Sequence, residues 1–363
     1  MRCLRKAARI VNKDLLSLFD RHARPYYHGA KKKRIMTAAR AHHYVPVFYL
    51  KGFTSVNPRV KEFFWVYEQG KPVRKSKPVN EAHERDFYAF EDEEGKRHDL
   101  EQPLSRIESA LAPLFRAIDD HRYYRFHPDE FEGLTIFMAL MWVRGPFGRD
   151  FVNQLSEQVM KAVVKEYAQD NERFQRVYDD VVKEYDTNTD VSVDELRSSI
   201  LSHDWKYEQK SPGYTLQKMF EGVPIVSGIL RKKARKVLIS EGEDYFCTSD
   251  FPVITILPDK PGQAGSATVG AGFGMPGVEV FFPLTKRSCL VLTDHARGIH
   301  RIVPGRVVRE INKFLMVGAR RFLYACEKNT AMEKLFNKIG CKSVPGINAF
   351  MRDPPSTQQT HEL

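Results

Sequence analysis

An α+β fold is predicted by the way hydrophobic periodicity changes along these 363 residues. Short aromatic and β-branched runs come first. A long block with apolar residues at helical spacing follows, and then strand-like segments broken by Gly and Pro, with helices among them. Strand and helix do not alternate strictly, which argues against a parallel α/β sheet. The expected architecture is a small N-terminal hairpin, a central helical block and a C-terminal antiparallel or mixed sheet with helices.

The elements follow in chain order. Residues 1–35 form a basic leader, and LRKAARIVNKDLLSLF within it has helical apolar spacing. This leader suits a surface helix, a membrane-surface helix or a nucleic-acid arm, or an extension preceding a true start at Met36. His42 and His43 lie in an extended stretch that Pro46 stiffens. KEFFWVYE (61–68) reads as a strand, and Gly70-Lys71-Pro72 turns it into a hairpin. ERDFYAF (84–90) reads as one further short strand, followed by an acidic loop at 91–95. Asp99 is placed to cap a helix running to about Asp120, with Leu104, Ile107, Leu111, Leu114 and Ile118 as its stripe.

Pro128, Asp129 and Glu130 open the next helix. Its Ile136–Val143 segment is apolar on all sides and should be the buried centre. Gly145-Pro146 stops it. A long charged helix from Phe147 to about Tyr185 should break near Asp170, DTNTD (186–190) is a loop, and Ser192 with Glu195 has capping-box spacing. Residues 214–234 are helical, with a bend expected at Gly222 and Pro224. KVLIS, YFCTS, VITIL, VEVFF and SCLVLT are strands, 305–319 a helix, RFLYAC a strand and 330–339 a last helix. The domain organisation expected is the leader, one α+β domain over 36–345, and a disordered polar tail over 346–363.

Net charge narrows the function classes. The 11 Lys/Arg and 2 Asp of residues 1–35 give the leader +9, so only +2 of the total +11 belongs to the other 328 residues. Nucleic acid is therefore expected as a partner through residues 1–35, not through the body. Five widely spaced cysteines contain no CxxC pair, which argues against a disulfide framework and for a reducing cytoplasm. No apolar run approaches the ~20 residues that span a bilayer. GFGMPG (272–277) matches a dinucleotide fingerprint by letter, but it is followed by the strand VEVFF where that fingerprint needs a helix.

HHYVPVFYLKGF, RDFYAFEDEEG with LEQPLSRIESAL, MALMWVRGP, YFCTSDFPV, VFFPLT and the helix of Asn312 before RRFLYA together resemble the bacterial domain of unknown function 4238 family. The resemblance runs from about Ala41 to Ala325. Its HYVP-x-FYL and TSD-x-PV blocks are the most specific. Val47 stands where such proteins favour glutamine, and Phe251 where asparagine is common. The resemblance implies no activity, and it supports Met36 as the start.

The candidate site residues come from residue chemistry. His42 and His43 must point to opposite faces of an extended segment, and imidazole is the side chain for proton transfer near neutral pH or for metal binding. The alternative is that one braces a loop and the other meets solvent. Glu101 and Glu108, seven residues apart, share a helix side and serve either as acid or metal ligand or as partners of arginines. Arg144, ending the buried helix, either clamps an anionic substrate or neutralises the helix end. Asp250, after a strand, is either a site acid or an Asx-turn. Asn312 sits on a face expected to be buried and must find partners there. The picture expected is convergence of His42, His43, Glu101, Arg144, Asp250 and Asn312 on one pocket, with His43, Glu101 and Asp250 holding a divalent metal. Metal-assisted or acid–base hydrolysis, of a phosphodiester first, is the expected chemistry. A non-catalytic nucleic-acid- or protein-binding module is the alternative.

Overall fold

Capping and periodicity place the helices where expected. A computed structural model describes residues 41–55, 62–92, 95–120, 124–185, 191–202, 205–208, 211–258, 267–295 and 299–341. Expectations for the leader, for DTNTD and for the tail fall outside them. Helix α1 (Val47–Leu50) follows Pro46 and continues into a 3-10 turn at Lys51–Phe53. Helix α2 (Glu101–Asp120) starts where Asp99 Oδ1 accepts the Glu101 N–H at 2.9 Å, and its five stripe residues are all buried. Helix α3 (Pro128–Val143) opens on Pro128, and Glu130 Oε2 accepts the His127 N–H at 2.9 Å. Its buried residues face every direction because α2, α4 and α7 surround it.

Gly145-Pro146 does more than stop α3. Pro146 is the first residue of α4 (Pro146–Gln169), so the corner consists of Arg144 and Gly145 alone. Gly148 makes this turn feasible: a Cβ there would lie 1.7 Å from the Val143 carbonyl oxygen. The chain breaks at Asp170, whose carboxylate accepts the Arg173 N–H at 3.0 Å, before α5 (Asn171–Tyr185). Ser192 and Glu195 form the capping box of α6 (Val193–Leu201), and α7 (Pro212–Lys232) contains Pro224. Helices α8 (Gly305–Gly318) and α9 (Thr330–Ile339) complete the described set.

The sheets depart from the expectation in two places. The N-terminal hairpin, β2 (Phe64–Glu68) and β3 (Arg74–Ser76), forms as expected. It joins β14 (Phe322–Ala325) and β8 (Thr248–Ser249) in the order β3-β2-β14-β8, with Tyr324 opposite Val66. The single strand expected over 84–90 is two, β4 (His83–Arg85) and β5 (Ala89–Glu91), because Asp86 takes φ 54° and turns the chain. β4 pairs with β1 (Ala41–His43), and β5 with β6 (Arg97–Asp99). Of YFCTS only two residues are strand: the side chain of Asn312 takes the Cys247 N–H at 3.0 Å and the Tyr245 carbonyl at 2.9 Å, in place of a neighbouring strand.

The larger sheet has the order β10-β9-β11-β12-β7-β13. It is built from β7 (Ala234–Ile239), β9 (Ile254–Pro258), β10 (Ala267–Val269), β11 (Glu279–Thr285), β12 (Ser288–Thr293) and β13 (His300–Ile302). Its described pairs are antiparallel except β13 on β7, so it is mixed. The architecture is α+β, with a strand hairpin, a central helical region and a mixed sheet with helices. β10 and β13 are three residues each, too short for a period to show in sequence.

One aromatic group joins these layers. Tyr49 stacks on Phe282 of β11 (5.3 Å, 7°) and meets Phe115 of α2 and Phe137 of α3 edge-on or tilted. Its hydroxyl donates to the Pro283 carbonyl at 2.8 Å. That O–H has one proton, so the Thr248 hydroxyl, also at 2.8 Å, donates to it. The FYL, TSD and FPL blocks of the sequence therefore meet at one buried oxygen.

Candidate functional site

The two histidines do point opposite ways. His42 is fully buried and stacks on Tyr88 (5.6 Å, 9°). Its Nδ1 accepts the Tyr88 backbone N–H at 2.9 Å, so the neutral ring carries its proton on Nε2, which faces Asp99 Oδ2 at 3.4 Å. His43 is half-buried. Its Nε2 lies 3.1 Å from the Val79 carbonyl, which can only accept, so Nε2 holds the proton and Nδ1 keeps its lone pair. The His83 ring stands edge-on to it at 5.2 Å. Burial lowers the pKa of His43 below its ordinary value, the Val79 bond opposing, and keeps the ring neutral at pH 7.

Arg144 is the hub beside them. It is 1% exposed, and its guanidinium meets three acceptors from three elements: Glu108 Oε1 on α2 at 2.9 Å, the Tyr88 hydroxyl at 3.2 Å, and the His43 carbonyl. The Tyr88 hydroxyl in turn donates to the Arg144 carbonyl at 2.9 Å, which satisfies one of the open carbonyls at the end of α3. Burial pushes the Tyr88 phenol up to about 12, against the pull of Arg144; Glu108 and Glu101 add to the rise. Glu101 therefore belongs to the electrostatic surroundings of this hub, two turns before Glu108.

Asp250 and Asn312 lie elsewhere. Asp250 is buried and accepts three backbone N–H groups at the start of β14: Arg320 on Oδ1 at 2.9 Å, and Arg321 and Phe322 on Oδ2 at 2.8 and 3.1 Å. Burial raises its carboxyl to about 6, against those donors, so it is ionised at pH 7. Asn312 braces the approach to β8. Tyr44 links the two regions: burial raises its phenol, and Asp250, Glu84 and Tyr88 all contribute. The Tyr324 hydroxyl, also raised by burial with Asp250 next in weight, is buried without a hydrogen-bond partner among the described residues.

The structure thus gathers His42, His43, Glu101 and Arg144, with Glu108, and places Asp250 and Asn312 outside this group as backbone braces at β14 and before β8. Among the described residues no group of three or more His, Cys, Asp or Glu side chains is arranged to hold a metal ion, so the set His43, Glu101 and Asp250 is not drawn together as a chelate. Of the other residues around the hub, the sequence marks Asp99 only as a helix cap, and Tyr88 and His83 are recognisable only through what they touch. No described helix is long and apolar enough to cross a membrane.

Comparison with known proteins adds a family and no more. No curated protein and no solved structure matches the chain. A family model described as "Protein of unknown function (DUF4238)" matches residues 41–329, and the chain belongs to that family.

Proposed function

We propose that the chain is an acid–base hydrolase in which His43 is the general base, working in the cytoplasm. One observation carries this reading. His43 alone among the sequence-selected residues combines a neutral imidazole, an Nδ1 lone pair with no hydrogen-bond partner among the described residues, and partial exposure. A water held at Nδ1 would lose its proton to the ring as it attacks. Arg144 is a positioning residue here: it holds the His43 carbonyl, and Glu108 balances its charge. Its Nε and Nη2 donors are committed to these partners and the side chain is 1% exposed, so it is not the clamp for a substrate anion.

A phosphodiester remains the substrate to try first, and a divalent metal the cofactor to add. Hydrolysis of bis(p-nitrophenyl) phosphate and of single-stranded DNA, with and without EDTA or Mn²⁺, tests the reading. His43→Ala should lower the rate by about 10²–10⁴-fold, the usual weight of a general base, with unfolding unchanged. Equal rates for the variant and the native protein would sink it. Activity abolished by EDTA would replace the acid–base version with a metal-assisted one.

The second reading is a non-catalytic binding module, favoured by the internal commitment of Arg144, Asp250 and Asn312. Nucleic acid would then be held by residues 1–35. Deletion of that segment should abolish binding, and affinity of the full chain should fall steeply with salt.

A further inference from the structure

We propose that an aromatic slot between α3, α4 and the glycine-rich loop after β10 binds a small molecule carrying one aromatic ring and a carboxylate. The slot has a volume of about 190 Å³. Its walls are rings: Trp142 stands edge-on or nearly so to Phe273 at 5.3 Å, to Phe147 at 5.4 Å and to Phe151 at 5.7 Å, and Phe147 lies 4.6 Å from Phe251. Ile254 and Thr255 of β9 close it from the sheet side, and the backbone of Gly270–Phe273 from the loop side.

These rings do not simply fill a core. Protein interiors leave few voids larger than a water molecule, and here Trp142 and Phe151 are only half-buried around open space. An apolar cavity of about 150 Å³ is enough to take benzene. The slot therefore has room for one ring with a short substituent. Ring edges and faces at these angles favour an aromatic guest over a branched aliphatic one.

The charge of the guest follows from a cation packed on one wall. Gly318 lines the slot, and Arg320, two residues later and outside the lining, places its guanidinium over the ring of the wall residue Phe147 at 5.4 Å. The backbone N–H of Arg320 is fixed on Asp250, so the residue is anchored. Its side chain is partly exposed and holds Asp150 through one contact at 3.2 Å. A guest carboxylate that extends past Phe147 to Arg320 would pair with its remaining guanidinium donors. The larger cavity beside α8 and α9, about 330 Å³, gives no comparable signal: Arg309 and Lys313 there are already paired with Asp244 and Glu310, both at 2.6 Å.

This site is distinct from the His43 hub. Titration calorimetry on the full chain with phenylacetate, phenylacetamide and acetate tests it. Phenylacetate should bind saturably, phenylacetamide about tenfold more weakly (roughly 1.4 kcal/mol), and acetate not at all. Arg320→Gln, a change at a partly exposed side chain, should remove the preference for phenylacetate and leave phenylacetamide unchanged. Phe273→Ala should weaken both aromatic probes at least about tenfold. His43→Ala should leave all three unchanged, which separates this site from the hydrolase reading. Absence of saturable phenylacetate binding overturns the proposal, and so does a preference over the amide that survives Arg320→Gln.

Discussion

Removing the Glu108 carboxylate while leaving Arg144 in place should destabilise the protein by about 3 kcal/mol. Stripping one partner from a buried ion pair costs about 3–5 kcal/mol, because the other charge stays in the interior uncompensated. Arg144 is 1% exposed, but Glu108 is 24% exposed, so water reaches one side of the pair and the lower end of that range applies. Arg144→Met removes the charge itself. It leaves the His43 carbonyl and the Tyr88 hydroxyl short of a donor, at a cost of about 2 kcal/mol. In the Glu108→Ala/Arg144→Met double variant no charge is stranded, so its cost should stay near that of Arg144→Met alone. The coupling energy is then about 2–3 kcal/mol, at the top of the range for residues in contact. Urea unfolding at pH 7, followed by circular dichroism and by tryptophan fluorescence, measures all three. A Glu108→Ala cost below about 0.5 kcal/mol, the range of surface changes, or an additive cycle, would show that the hub is not a buried charge network.

Four further outcomes follow from the same contacts. The folded-state pKa of Asp250 is raised by burial from 3.8 to about 6, so the stability it contributes is full below pH 4 and lost as pH rises through 6. At roughly 1.4 kcal/mol per pH unit, the native protein should lose about 3 kcal/mol relative to Asp250→Asn between pH 4 and 7; a flat or rising difference refutes this. Tyr49→Phe strands the Pro283 carbonyl and the Thr248 hydroxyl and should cost about 2 kcal/mol in urea unfolding. Asn312→Ala strands the Cys247 N–H and the Tyr245 carbonyl and should cost a similar ~2 kcal/mol, with faster amide exchange at Cys247 as its local signature. Gly148→Ala drives a methyl into the Val143 carbonyl and should cost about 3 kcal/mol or more. Gly242→Ala, which meets nothing within 4 Å, should stay within about 0.5 kcal/mol in the same urea unfolding.

Local order was legible in the chain. The Asp99 cap, the Leu104–Ile118 stripe, the all-apolar Ile136–Val143 run, the break at Asp170 and the Ser192–Glu195 box are relations between residues one to four turns apart, where periodicity and capping chemistry act directly. The opposite facing of His42 and His43 was legible for the same reason, since extended backbone alternates its side chains. The turn at Asp86 escaped because a positive φ at a non-glycine residue leaves no reliable mark in sequence.

The candidate site was legible as a set of residue types and not as an arrangement. Arg144 suited a substrate clamp as well as a helix end, and the choice was made by Glu108, Tyr88 and His43, which approach it from three separate elements. Asp250 suited a catalytic acid until the backbone of Arg320, Arg321 and Phe322 arrived to occupy it. The sequence by itself determined the elements, their caps and their buried faces. Only the tertiary structure decided that β2 pairs with β14 across the whole domain match and that these polar groups end as hydrogen-bond partners of distant backbone. A side chain's donors and acceptors are fixed by its chemistry, but which of them remain free for a ligand depends on neighbours that long-range folding brings.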